Sequence, residues 1–388
     1  MKVRDIGMHE LIEKTKELQS SAWKKRLSDI SIYTLQERLD TTEKNGQNPF
    51  SDFSDVDMLQ WFLQRREHLK QQHEKSTRTV QAYERELLQF IEQLLTYSVE
   101  IHVDLEKVVE GSLFKSLSTR HIRRYQEWLS EKSPYVLTKG AYSVATLSRK
   151  TTIIKSFLKF LFESGYITEP IHEGFLKINI RKDDRPNRDL GPKEVIQLLD
   201  YFREINHPII FSIIHILTMT GMRNEEFTRL RVKDLQYDSI ISTYFLEVLG
   251  KGNKKRQIPL KEKGMKSIHM FRSARGIDDI DAAEGENPLF TTNTGRAYSP
   301  SYLSQYLTKA IKESGLPFLK FRSSSIGPHT FRHAFAIISH LNGVDVYQIM
   351  KSLGHEQLST TEIYLEKVFE KERHAIHLWK SDVFGEYI

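Results

Sequence analysis

The sequence of 388 residues contains no cysteine. That absence excludes disulfide staples, a thiol nucleophile and cysteine-ligated zinc, while leaving the redox compartment open. No apolar run approaches the roughly 20 residues of a membrane span; the longest patch, Ile209 to Leu217, is broken by Ser212 and His215. The first residues carry Arg4, Asp5, Glu10 and Glu13 rather than the apolar core of a secretory signal, and it is the lack of thiols that leans towards a cytoplasmic bacterial setting. Only 11 prolines and 19 glycines are present, with no repeat or low-complexity tract, so a fibrous or wholly disordered chain is excluded. Charge is nearly balanced: 57 Lys and Arg against 51 Asp and Glu leave +6, compatible with an anionic partner and equally with many proteins that bind no polymer.

Amphipathic helices dominate what is there. Residues 8–39 place Leu11, Leu18, Trp23, Leu27, Ile30 and Leu35 at mostly helical spacings, and a short helix is expected around 58–63 after a polar stretch with Asn45-Gly46 and Asn48-Pro49. This N-terminal extension, residues 1–70, reads either as a separate contact surface or as a helical brace for the domain after it. Helices are expected at 76–96, 118–129 and 143–164, forming a small helical domain over 76–165 with Tyr125 and Trp128 in its core. Its basic residues, among them Arg149, Lys150 and Lys155, suit phosphate contacts or a solvated helix face. Pro170, Pro186, Gly191 and Pro192, with the charge run Arg181-Lys182-Asp183-Asp184-Arg185, mark 166–190 as a linker.

From 191 onward, helices at 193–202 and 209–220 precede two short strands, 243–249 and 255–260, around Gly250-Lys251-Gly252-Asn253. Helices resume from 263 and recur at 299–313, 328–341, 345–352, 359–364 and 366–380. Taken singly, the polar residues here are ambiguous: Arg223 after Thr220-Gly221, His329 and Arg332 three apart on one helix face, His355 after Leu353-Gly354, and Tyr364 nine residues further.

As an ordered set they resemble the tyrosine recombinase (phage integrase) family. Its catalytic domain carries an Arg after Thr-Gly, a hairpin Lys, His-x-x-Arg-His, Leu-Gly-His and a nucleophilic Tyr. The resemblance implies catalytic roles for Arg223, Lys251, His329, Arg332, His355 and Tyr364, with Glu226 and His333 supporting the pocket and Lys254, Lys255 and Arg256 contacting the DNA backbone. It is close over 191–370 and looser over 76–165. The fold it implies is mainly α: a helical SAM-like core-binding domain, then a mixed α/β catalytic domain, 191–388, with a small β-sheet.

The chemistry accounts for the residue types. A transferring phosphodiester develops charge on its nonbridging oxygens, which the planar forks of Arg223 and Arg332 suit better than any Lys. A phenol with a reference pKa near ~10 needs its proton removed or its oxyanion stabilised before it attacks. The resemblance implies attack by Tyr364, a 3′-phosphotyrosyl intermediate, release of a 5′ hydroxyl protonated by Lys251, and no metal, ATP or other cofactor. It further implies double-stranded DNA with inverted-repeat core sites as partner, a homotetramer acting through a four-way junction, a possible accessory directionality factor, and work at the nucleoid. The apolar residues of 366–388, including Val368, Phe369, Trp379, Val383 and Phe384, are expected to form an exchange segment docking on a neighbouring subunit, or else to pack on their own domain. The long helical front favours a mobile-element integrase or transposase; dimer resolution of chromosomes or plasmids and telomere resolution are the alternatives.

Overall fold

Serine opens most helices of the N-terminal half. In the computed structural model, which describes residues 25, 27–66, 76–103, 112–181, 184, 187–250, 254–372 and 374–378, Ser31, Ser54, Ser76 and Ser143 each accept a backbone N–H from the first turn of the helix they precede. Each thereby satisfies a donor that the helix cannot. The helices so capped are α1 (Ile32–Lys44), α2 (Asp55–Gln64), α3 (Thr77–Thr96) and α5 (Val144–Glu163), with α4 (Thr119–Glu131) between the last two. At Ser54 the arrangement is reciprocal, because Asp57 accepts from the Ser54 backbone at 2.9 Å.

The chain divides into two compact units, Met1–Arg185 and Pro186–Ile388. In the first, one core takes Leu27, Leu35 and Leu39, then Trp61 and Phe62 of α2, Leu87 and Phe90 of α3, Tyr125 and Trp128 of α4, and Phe157, Leu158 and Leu161 of α5. Where residues 27–64 are described they are therefore a brace within one core, not a free-standing extension. The same core claims Tyr166, Ile167, Ile171 and Phe175. Past them the Gln126 amide clasps the Leu176 backbone, accepting its N–H at 2.7 Å and donating to its carbonyl at 3.2 Å. A linker beginning at 166 is thus corrected: apolar side chains and these bonds hold the chain down to 176. Asp55 ties the brace in from the other side, accepting from the Ser112 hydroxyl at 2.5 Å, the Leu113 N–H at 2.7 Å and the Tyr166 hydroxyl at 2.8 Å. Burial pushes its carboxyl up, and these donors pull it back.

Lys150 is also corrected. Its ammonium donates to Glu86 at 2.7 Å and Gln89 at 2.8 Å, with the two charged side chains only 12% and 8% exposed, so it is committed inside the unit rather than offered to phosphate. Arg149 and Lys155 stand exposed on α5.

The second unit strings together α6 (Pro192–Glu204), α7 (Pro208–Thr220) and α8 (Asn224–Arg229). Then come strands β1 (Leu235–Asp238), β2 (Thr243–Leu249) and β3 (Lys255–Leu260), followed by α9 (Glu262–Arg275), α10 (Pro300–Glu313), α11 (Pro328–Leu341), α12 (Val346–Leu353) and α13 (Leu358–Glu372). The strands form an antiparallel sheet in the order β1-β2-β3, with Leu246 facing Ile258 and Val248 facing Arg256. The fold is the expected one, mainly α with a small sheet. No glycine or proline lies between Tyr364 and Glu366, so one continuous α13 replaces the two helices expected there. Val368 and Phe369 pack beside Leu365, against Ala336, Ile337, Ile349 and Leu353. Within this single chain these two residues take the second of the two expected arrangements, packing on their own domain; Trp379, Val383 and Phe384 lie outside the described residues. Among the described residues no helix is long and apolar enough to cross a membrane.

The Glu86–Lys150 pair makes a testable contrast. Lys150→Met should leave affinity for duplex DNA and its salt dependence unchanged in binding titrations. Glu86→Ala, which strands a largely buried ammonium, should lower unfolding free energy in urea by about 3 kcal/mol.

Candidate active site

Two helix ends build the site. Helix α7 terminates at Gly221, whose φ of +59° is the left-handed conformation that caps helices; a Cβ there would stand 2.7 Å from the Phe335 ring. Helix α12 terminates likewise at Gly354, φ +65°, against the Arg256 side chain. Carbonyls at helix C-termini lack intrahelical donors and carry partial negative charge. Guanidiniums fill that need here. Arg332, on α11, donates from Nη1 to the Gly221 carbonyl and from Nη2 to the Leu353 carbonyl, both at 2.7 Å. Arg223 donates from Nη2 to the Gly354 carbonyl at 3.1 Å. The glycines of Thr-Gly and Leu-Gly-His are thus the bends that aim carbonyls at the two arginines.

Glu226 binds the arrangement together. One turn into α8, it accepts the Arg223 backbone N–H at 2.7 Å and Arg223 Nη1 at 2.9 Å, and a bidentate fork from Arg256 of β3 at 2.8 and 2.7 Å. Its side chain is 3% exposed, against 31% for Arg223. Burial by itself would raise this carboxyl; the hydrogen bonds and charge of Arg256, then those of Arg223, hold it down at about 2. Arg256 is therefore corrected from a backbone contact to the partner of Glu226. Lys254 and Lys255 remain at the surface, in pairs with Glu356 at 2.6 Å and Glu247 at 2.8 Å. Exposed pairs of this kind are weak and exchange readily for other anions. Lys251 lies outside the described residues.

Tyr364, on α13, meets two histidines. His333 stacks on its ring, centroids 3.7 Å apart and planes 22° from parallel, and His355 stands edge-on at 5.2 Å and 88°. The His355 Nδ1 is 2.8 Å from the hydroxyl of Thr361, a fully buried residue one turn before Tyr364. Sequence reasoning passed over Thr361; its spacing from Tyr364 was the available signal. His329 stands exposed on the first turn of α11.

Cations outnumber carboxylates here, and this shifts the protonation equilibria of the site. Desolvation and then Arg223 bring Arg332 down to about 10. Desolvation lowers His355 to about 3, with Arg332, Arg223 and Arg256 adding to it. His333 falls to about 3 from desolvation, then Arg188, with His329, Arg332 and His355 adding to it. His329 is lowered by desolvation, Arg188, Arg332 and Arg223. Arg188, within the expected linker, is a site neighbour that its place among linker residues concealed. A guanidinium has five N–H donors, so Arg332 keeps some in reserve, including a buried Nε without a partner. The arrangement is an anion site with neutral histidines beside it. Among the described residues no group of three His, Asp or Glu side chains is placed to hold a metal ion.

The Glu226 carboxyl titrates near 4.5 when unperturbed and about 2 here, so its stabilisation is complete above pH 4.5 and is lost as pH falls toward 2. Glu226→Gln should be less stable than wild type by about 2 to 3 kcal/mol at pH 7. That gap should close as pH falls from 4.5 to 2, read from denaturant titrations at a series of pH values; a constant gap would contradict the assignment. His333 and His355 add acid sensitivity of the same sign from pH 6.5 downward, since the unfolded chain takes up protons that the folded one refuses.

Comparison with known proteins agrees with this geometry. Residues 188–371 match the phage integrase family. The chain is 27% identical over 293 residues to the tyrosine recombinase XerD of Oceanobacillus iheyensis, a match covering 70% of this chain and 94% of that protein. It is similar in structure to the XerH site-specific recombinase bound to palindromic difH substrate in a post-cleavage complex, with TM-score 0.58, 20% identity, and 77% of this chain and 79% of that one covered. A lambda integrase tetramer bound to a Holliday junction is similar at TM-score 0.53 and 15% identity, over 73% of each chain. At such identities the structural likeness speaks for the fold, while the family match, residues 188–371, spans the two arginines, the three histidines and the tyrosine. Residues 188–371 form a phage integrase domain, that of the tyrosine recombinases, enzymes that cleave and rejoin DNA through a tyrosine nucleophile.

Proposed function

We propose that this chain is a site-specific DNA recombinase in which Tyr364 is the nucleophile. The Tyr364 oxygen attacks the phosphorus of a DNA phosphodiester and the bond to the 5′ oxygen breaks. The strand is left as a 3′-phosphotyrosyl ester, with a free 5′ hydroxyl on the other side. The phenol proton passes to a neutral imidazole, His355 being the ring edge-on to the phenol, and Lys251 delivers a proton to the departing oxygen. Arg223 and Arg332 use their spare N–H donors on the nonbridging oxygens, joined by His329 at the mouth. His333, stacked on the phenol ring, fixes its orientation. Bond energy is conserved in the ester, so neither ATP nor a metal enters the scheme.

One observation carries this reading. The Leu353-Gly354 turn that anchors both arginines leads directly into His355, and His355 meets Tyr364. The anion clamp and the nucleophile are thereby fixed to one short stretch of chain.

In the same reading Arg149, Lys155, Lys254 and Lys255 contact the DNA backbone, four copies assemble on paired inverted-repeat sites, and the protein works at the nucleoid. The reaction is integration or excision of a mobile element. In support, a match spanning 94% of the XerD relative uses only 70% of this chain, which leaves a portion without counterpart there. Resolution of chromosome or plasmid dimers is the second reading, favoured by the likeness to XerD itself. Circular junctions of the DNA flanking the gene, arising in cells only with active protein, decide for the first; dimer accumulation on gene loss, without such junctions, decides for the second.

On a nicked suicide duplex, wild type should form a covalent complex stable to SDS with EDTA present and ATP absent. Tyr364→Phe, which removes one oxygen, should bind the duplex normally and form none. Arg332→Lys keeps the charge but loses the fork, and should slow trapping by about 100-fold or more. An absolute need for magnesium in cleavage of a short naked duplex, or undiminished trapping by the Phe variant, would overturn the assignment.

A further inference from the structure

The stretch Asn187-Arg188-Asp189 opens the second unit, and its backbone is held on both sides of Arg188. Arg322 donates from Nη1 to the Asp189 carbonyl and from Nη2 to the Asn187 carbonyl at 3.4 Å, and the Ser324 hydroxyl donates to the same Asn187 carbonyl. The Asp189 N–H closes a turn on Asn187 Oδ1 at 3.0 Å. The Asp189 carboxylate faces Lys367 Nζ at 3.6 Å. These partners locate Arg188 within the site: Arg322 and Ser324 lie just before α11, whose first turn carries His329, and Lys367 lies one turn beyond Tyr364 on α13. The segment is stitched between the approach to His329 and the helix of the tyrosine.

The Arg188 side chain is exposed and makes no hydrogen bond or ion pair among the described residues. Its charge nevertheless reaches inward. At both His329 and His333 it does more than Arg332 to disfavour protonation, second only to desolvation. A pinned backbone under a free guanidinium leaves only side-chain freedom to lose on binding an anion.

We infer that Arg188 is a further DNA-contacting cation of the catalytic centre, binding the phosphate next to the scissile one on the cleaved strand. The scissile phosphate belongs to Arg223 and Arg332, whose terminal nitrogens are anchored on helix-end carbonyls. Arg188 stands at the rim, beside the exposed His329, where the strand must continue. The inference rests on the reading of Tyr364 as the nucleophile.

The test uses the full chain and suicide duplexes carrying a single uncharged methylphosphonate at each phosphate flanking the cleavage position in turn. Arg188→Ala should melt at the wild-type temperature and slow covalent trapping by about tenfold to a hundredfold, the worth of a charged hydrogen bond. It should also lower the slope of log K against log salt by about one. Arg188→Lys should recover part of the rate. At the neighbouring phosphate, the methylphosphonate should slow wild type by a similar factor and add little to Arg188→Ala, because one contact is being removed twice. Wild-type rates in Arg188→Ala, or independent, multiplying effects at every phosphate, would overturn the inference while leaving Tyr364 untouched. A wild-type chain that never traps would instead sink the Tyr364 reading, and this inference with it.

Discussion

Glu226 accepts four hydrogen bonds from Arg223 and Arg256, and the geometry of the catalytic unit depends on that contact. Like charges brought together inside a protein repel strongly, and burying them is costly unless each is paired. One buried carboxylate meets both demands. It fixes the N-terminus of α8 to β3, holds Arg223 at the end of α12, and offsets the guanidinium field on Arg332. Arg332 has no carboxylate partner of its own in the hydrogen bonds described; it is held instead by carbonyls at the ends of α7 and α12. Helix-end carbonyls thus do for Arg332 what a second acid would otherwise do, without adding a full negative charge that would repel phosphate.

The consequence is a site built for an anion before the anion arrives. Its guanidiniums are oriented in advance, so little reorganisation accompanies charge development on a transferring phosphoryl group. The histidines, surrounded by cations and partly desolvated, resist protonation and remain able to accept a proton. In the proposed reaction a phosphodiester entering this field would supply the missing negative charge and raise their proton affinity. On that proposal, recognition of DNA and activation of the phenol draw on the same electrostatic imbalance.

Much of this was legible in the sequence because it is local. Helical periodicity located most of the longer helices to within about two residues, α1, α2 and α13 being the exceptions. The strands at 243–249 and 255–260 stood out by their β-branched and aromatic content beside a glycine-rich turn. The glycines at 221 and 354 announced helix ends, and the order of polar residues after them carried the resemblance. What was not legible depends on distant pairing. Nothing in the local pattern of Lys150 says that Glu86, 64 residues away, will claim it. Arg256 belonged by sequence to a basic run, and only the β2–β3 register turns it toward Glu226. The first helices read as an extension because their partners in the core come from α3 to α5, and Arg188 was hidden among linker charges because the residues that pin it lie some 135 positions later.

The account stands most directly on the identity of the residue that takes the phosphate. The deciding measurement is to digest the covalent complex formed on a suicide duplex, locate the nucleotide-bearing peptide by mass spectrometry, and establish which strand end it carries. The account predicts one adduct, a 3′-phosphate esterified to Tyr364 in the tryptic peptide Ser352 to Lys367, with a free 5′ hydroxyl on the released fragment. An adduct on any other residue, or a linkage through a 5′ phosphate, would contradict it.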